Sequence, residues 1–107
     1  MLFIETRFFT KFCREHSNDD ELRELQTLLI ERPEAGDLIR GGKGLRKVRW
    51  ALPGRGKRGG ARVIYFLRST AGTIYLLYAY PKNEQTDLSV DHRKLLVQWV
   101  QEVLGDE

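Results

Sequence analysis

Thr73 to Tyr80 reads TIYLLYAY, a run without a charge in which apolar side chains occupy odd and even positions alike. Because a strand points successive side chains to opposite faces, a run apolar in both registers belongs in the middle of a sheet. Ala61 to Arg68 (ARVIYFLR) is the preceding strand, aromatic and β-branched at its centre, joined to the first by a hairpin turn at Ser69 to Gly72. Leu45 to Leu52 is strand-like too, with Lys47, Arg49 and Ala51 on one face and Arg46, Val48, Trp50 and Leu52 on the other. Between these runs lies PGRGKRGG (Pro53 to Gly60), too rich in glycine for a strand interior and therefore a loop.

The remaining elements are helical apart from a short first strand at Leu2 to Ile4. Phe8, Phe9, Phe12 and Cys13 recur at helical spacing from Arg7 to His16. Asn18 with Glu21 is a capping box, and Leu22, Leu25, Leu28 and Leu29 continue that second helix until Pro33 stops it. Glu34 to Lys43 reads as an irregular connection. Ser89 caps a last helix that carries Leu95, Leu96, Trp99, Val100, Val103 and Leu104 and closes at Gly105. The order β-α-α-β-β-β-α, with hairpin-length connections in its second half, predicts an α+β fold with a largely antiparallel sheet. Its 107 residues suit one domain spanning residues 1–107. No apolar run reaches the length of a membrane span, and MLFIETRFF lacks the pattern of a signal peptide. The single cysteine, Cys13, has no disulfide partner, so a reducing, cytoplasmic home is expected.

Charge is distributed unevenly over this frame. Leu38 to Asn83 holds eleven of the 18 Lys and Arg residues and none of the 15 Asp and Glu residues. The ends carry the other seven cations and every acid, so +11 in the middle is set against −8 outside it. Such a density of cations calls for an anionic partner, and a nucleic acid held on the sheet is the simplest one. GRGKRGG alone is compatible with an ordinary solvated hairpin tip, and it lacks the spacing and following helix of a nucleoside-triphosphate loop. Its neighbours single it out: Lys47 and Arg49 precede it, Arg62 follows it, and Lys82 ends the third strand.

Other reactive groups are few. His16 and His92 read as surface residues, Cys13 as a core residue, and no cluster of carboxylates, His and Cys suggests a metal site. Trp50, Tyr65, Tyr78 and Tyr80 have rings able to stack on bases, although strand aromatics more often pack a core.

GLRKVRWALPGRGKRGGARVIYF (Gly44 to Phe66) and IYLLYAYPKNEQTDLS (Ile74 to Ser89) resemble the toxins of the RelE/HigB superfamily of type II toxin–antitoxin modules. The likeness covers nearly the whole chain, and KRGG-x-R-x-I-Y followed by K-N-E is similar to the HigB-like branch. The resemblance implies an endoribonuclease without a cofactor that cuts messenger RNA on the 70S ribosome. It also implies a cognate antitoxin, often of helix-turn-helix type. It assigns catalysis to Lys47, Arg49, Lys57, Arg62 and Lys82, with Arg62 at the scissile phosphate. Arg58, Asn83 and Glu84 match the family too and are expected RNA contacts, and Arg46, Arg55, Tyr65 and Tyr80 join them by their charge or their rings. The chain departs from the founding RelE branch where that branch has an arginine, at Lys82 or Asn83, and where a tyrosine follows, at Thr86 to Leu88.

Cleavage of RNA suits such residues because the substrate carries its own nucleophile, the 2′-OH. The protein has to align it, move two protons and stabilise charge at phosphorus. Arginine keeps its proton near neutrality, which makes Arg49 and Arg62 stabilisers. A lysine crowded by cations loses its proton more readily, so Lys47, Lys57 and Lys82 are the candidates for proton transfer. Tyr65, Tyr80 and Glu84 are candidates to complete the relay, although Tyr65 points away from Arg62 if the strand alternates regularly. Two other functions fit the same residues: a non-catalytic module that binds RNA or the ribosome by charge, and a ParE-type toxin that attacks DNA gyrase.

Overall fold

The computed structural model describes residues 1–52, 60–85 and 87–105. Among them the elements run β1 (Leu2–Glu5), α1 (Arg7–His16), α2 (Asp19–Glu31), β2 (Asp37–Leu38), β3 (Leu45–Trp50), β4 (Ala61–Arg68), β5 (Thr73–Pro81) and α3 (Val90–Leu104). The sheet order is β1-β5-β4-β3-β2. β1 runs parallel to β5 and every other neighbouring pair is antiparallel. The α+β, largely antiparallel architecture expected from the sequence is therefore observed, and β5 lies between two strands as its apolar faces require. The connection from Glu34 to Lys43 differs from expectation by containing β2, whose Asp37 and Leu38 pair with Lys47 and Arg46.

Helices cover both faces of the sheet. On one, Phe9 and Phe12 of α1 and Leu25 and Leu29 of α2 pack against Val48, Trp50, Val63, Tyr65, Ile74, Leu76 and Ala79. On the other, Val100 of α3 packs with Leu45, Ile64, Tyr75, Leu77 and Tyr80. Trp50 ties the first layer together: its ring stacks 6.0 Å from Phe9, and its Nε1 donates to the Glu21 carbonyl at 3.1 Å. Removing so large a buried side chain costs about 3–5 kcal/mol.

Local signals set the helix boundaries. Asn18 Oδ1 accepts from the Glu21 amide at 2.8 Å while the Glu21 carboxylate accepts from the Asn18 amide at 2.9 Å, closing the capping box. Gly105 follows α3, and its amide bonds the Gln101 carbonyl at 3.0 Å. Gly60, which opens β4, adopts φ +63°, and a Cβ there would meet the Trp50 carbonyl oxygen at 2.3 Å. Only glycine satisfies both conditions, so the end of the basic loop is fixed tightly against β3.

Candidate nucleic-acid interface

The α3-covered face carries Lys47 and Arg49 of β3 and Arg62 of β4. Arg49 of β3, Arg62 of β4 and Tyr80 of β5 stand in cross-strand register, and the adjacent row is Lys47, Ile64 and Tyr78. Neighbours in such rows have Cβ atoms about 4.5–5.5 Å apart, so Lys47, Arg49 and Arg62 form one cluster. Arg49 is exposed and Lys47 and Arg62 are partly exposed, which leaves this end of the face open to solvent. Lys82 lies in the turn after β5, with its amide bonded to the Gly60 carbonyl at 3.0 Å. A cavity of about 580 Å³ lies elsewhere, between Leu45, Phe66, Val97 and Leu104. Among the described residues these cations lie on an exposed surface, which suits an extended polymer.

Two tyrosines reach this face through an irregularity. Tyr65 pairs with Leu76 but Ile64 pairs with Tyr78, so Leu77 is an extra residue in β5. Past this bulge the side chains swap faces: Leu77 and Tyr78 both lie on the α3 side, and Tyr80 follows them. The carbonyl of Leu77 accepts from the Thr6 hydroxyl at 2.6 Å, and Thr6 also caps α1. Tyr80 is 2% exposed, and its hydroxyl is buried with no hydrogen-bond partner among the described residues. Burial and the nearby Asp87 charge push its phenol up, with Arg62 opposing them. Burial, then the Glu84 charge, raises the Tyr78 phenol as well.

Asp87 is the residue that sequence reasoning missed. Its Oδ1 accepts from Lys47 Nζ at 3.0 Å and from the Leu88 amide at 2.8 Å. The Lys47 hydrogen bond is the main reason its carboxyl is held below the usual range, and Lys82 adds to the effect. The one available signal was that Asp87 is among the first acids after the acid-free stretch. His92 also comes to the border of this surface, its ring edge-on to Tyr78 at 5.2 Å, while remaining exposed.

Other candidates are placed differently. Arg46 lies on the opposite face, where its Nη1 donates to the carbonyls of Gly36 at 2.8 Å and Glu34 at 3.4 Å. Tyr65 is there too, fully buried, its hydroxyl donating to the Pro33 carbonyl at 2.8 Å and accepting from the Gly36 amide at 2.9 Å. Burial, first of all, raises its phenol. These two candidate RNA contacts are therefore not on the cationic surface; they hold the connection around β2. Asn83 and Glu84 occupy the turn after β5, the Glu84 amide bonding the Pro81 carbonyl at 3.1 Å. Arg55, Lys57 and Arg58 lie outside the described residues. Cys13 sits partly buried beside the first core layer, and burial together with Glu5 pushes its thiol up to about 11.

An α+β domain whose helices flank a mixed five-stranded sheet, with cations clustered on two adjacent strands, has the architecture of a RelE-like toxin. The sequence agrees: residues 1–105 match the family of the RelE toxin of the RelE/RelB toxin–antitoxin system. The chain belongs to that family and is a toxin component whose counterpart is an antitoxin. Among the described residues no helix is long and apolar enough to cross a membrane.

Proposed function

We propose that this toxin is an endoribonuclease of the HigB-like branch, an mRNA interferase that cleaves messenger RNA on the ribosome in the cytoplasm and so stops translation. The observation that carries the reading is the register of Arg49, Arg62 and Tyr80 beside Lys47 on one open end of the sheet. RelE toxins are generally ribonucleases, and this cluster supplies the charge such chemistry needs.

In the proposed reaction a ribose 2′-OH attacks the adjacent phosphorus in line and the 5′-oxygen leaves. The products are a 2′,3′-cyclic phosphate and a 5′-OH. Arg62 and Arg49 stabilise the charge that develops on the phosphoryl oxygens, since a guanidinium donates hydrogen bonds without giving up its proton. Lys47, Lys57 and Lys82 are the groups proposed for proton transfer. A helix-turn-helix antitoxin is the proposed counterpart.

The test is induced expression of the parent and of Arg62→Ala, with transcripts mapped by primer extension in reactions containing ribosomes. Loss of one preorganised donor should slow cleavage about 10²- to 10³-fold and relieve growth inhibition. A folded Arg62→Ala protein as toxic as the parent removes Arg62 from the mechanism. Stalled extension without new RNA ends would instead assign the surface to binding alone.

A further inference from the structure

We infer that Asp87 is an internal phosphate surrogate: its carboxylate occupies the anion position at Lys47 that an RNA phosphate takes on binding. It therefore competes with RNA for the toxin's own surface. The inference rests on the ribonuclease reading above and adds a regulatory contact to the same site.

Three observations carry it. An ammonium and a backbone amide converge on one oxygen, with Lys47 Nζ at 3.0 Å and the Leu88 amide at 2.8 Å from Asp87 Oδ1. One anionic oxygen receiving two donors is also the arrangement of a bound phosphate. The pair joins positions far apart in the chain, unlike the ion pair of Arg23 with Asp20, which is a local contact within α2. Second, the Asp87 side chain is 70% exposed, so it can turn into solvent without unpacking anything, while Lys47 at 29% stays set against the sheet. Third, Leu88 packs into the cluster that contains Tyr80, whose buried hydroxyl lacks a hydrogen-bond partner among the described residues. Tyr80 pairs with Arg62 in the sheet, so this cluster borders the position the carboxylate occupies.

Asp87→Asn removes the charge and keeps an oxygen for the Leu88 amide. Binding of a short, uncleavable 2′-O-methyl RNA oligonucleotide, followed by fluorescence anisotropy, should tighten by about two- to fivefold, the range an exposed ion pair commands. The gain should vanish in a Lys47→Gln background. Unchanged or weaker binding by Asp87→Asn, with the parent still binding, overturns the surrogate and leaves the ribonuclease reading intact. A second arm titrates the parent with inorganic phosphate and follows the Leu88 amide by NMR. A shift that Lys47→Gln abolishes, in a parent that binds no oligonucleotide, keeps the anion site and discards the RNA. No shift and no binding overturns both.

Discussion

Replacing Tyr65 with phenylalanine removes one oxygen and tests whether this side chain serves structure or RNA. That oxygen donates to the Pro33 carbonyl at 2.8 Å and accepts from the Gly36 amide at 2.9 Å, linking β4 to the chain before β2. The approach is close enough that Gly36 has to be glycine: a Cβ there would stand 2.7 Å from Tyr65 Cε1 and 3.0 Å from the Lys47 carbonyl oxygen. Each lost hydrogen bond costs about 1 kcal/mol net, and a buried amide left unpaired costs about 1–3 kcal/mol. Gly36 is buried, whereas Pro33 is partly exposed and its carbonyl can turn to water. The expected loss is therefore about 2–3 kcal/mol. Urea unfolding measures it: with the slope unchanged, the midpoint should fall by roughly 1 M. RNA affinity, compared under conditions where both proteins are folded, should not change. A Tyr65→Phe protein as stable as the parent, or one that loses RNA affinity while keeping its stability, refutes the structural assignment.

Two further outcomes follow from contacts away from the cationic surface. Asn18→Ala opens the capping box of α2 and should destabilise the protein by about 1 kcal/mol, lowering the melting temperature by roughly 4 °C or more. An unchanged melting temperature would mean that the paired bonds around Glu21 contribute nothing. For Cys13 the thiol is raised from 9.0 to about 11, which leaves about a hundredfold less thiolate near neutral pH than an unperturbed cysteine would have. Iodoacetamide should accordingly modify the native protein about a hundredfold more slowly than the urea-unfolded chain at the same pH, and equal rates would contradict the burial.

What could be read from the sequence was what neighbouring residues determine. Asn18 and Glu21 mark the start of α2 because a capping box closes within one turn, and Ser89 marks α3 by accepting the His92 amide. The limits of β4 were legible because Gly60 and Ser69 bracket a continuous β-forming run. The contacts that were missed join residues distant in the chain. β2 has two residues and exists through pairing with Lys47 and Arg46, so no local pattern announces it. The parallel pairing of β1 with β5 and the bond between Asp87 and Lys47 are likewise products of the assembled fold. Lys47, Arg49 and Arg62 could be placed together because regular alternation holds across β3 and β4.

Tyr80 shows where alternation alone fails. Counted from Ile74 and Leu76, which face α1 and α2, a regular strand would bury Tyr78 and Tyr80 in that same layer. The extra residue at Leu77 turns both toward α3, so Tyr80 rather than Ala79 stands beside Arg62. The apolar run that identifies β5 as a central strand conceals this change, because it is apolar in either register. The bulge is held from outside β5: Thr6 donates its hydroxyl to the Leu77 carbonyl and its amide to the Leu76 carbonyl at 3.0 Å. The same Thr6 oxygen accepts the Phe9 amide at the start of α1. A threonine at the entrance to the first helix thus takes part in deciding which aromatic ring stands beside Arg62, a coupling that no reading of either segment alone can reveal.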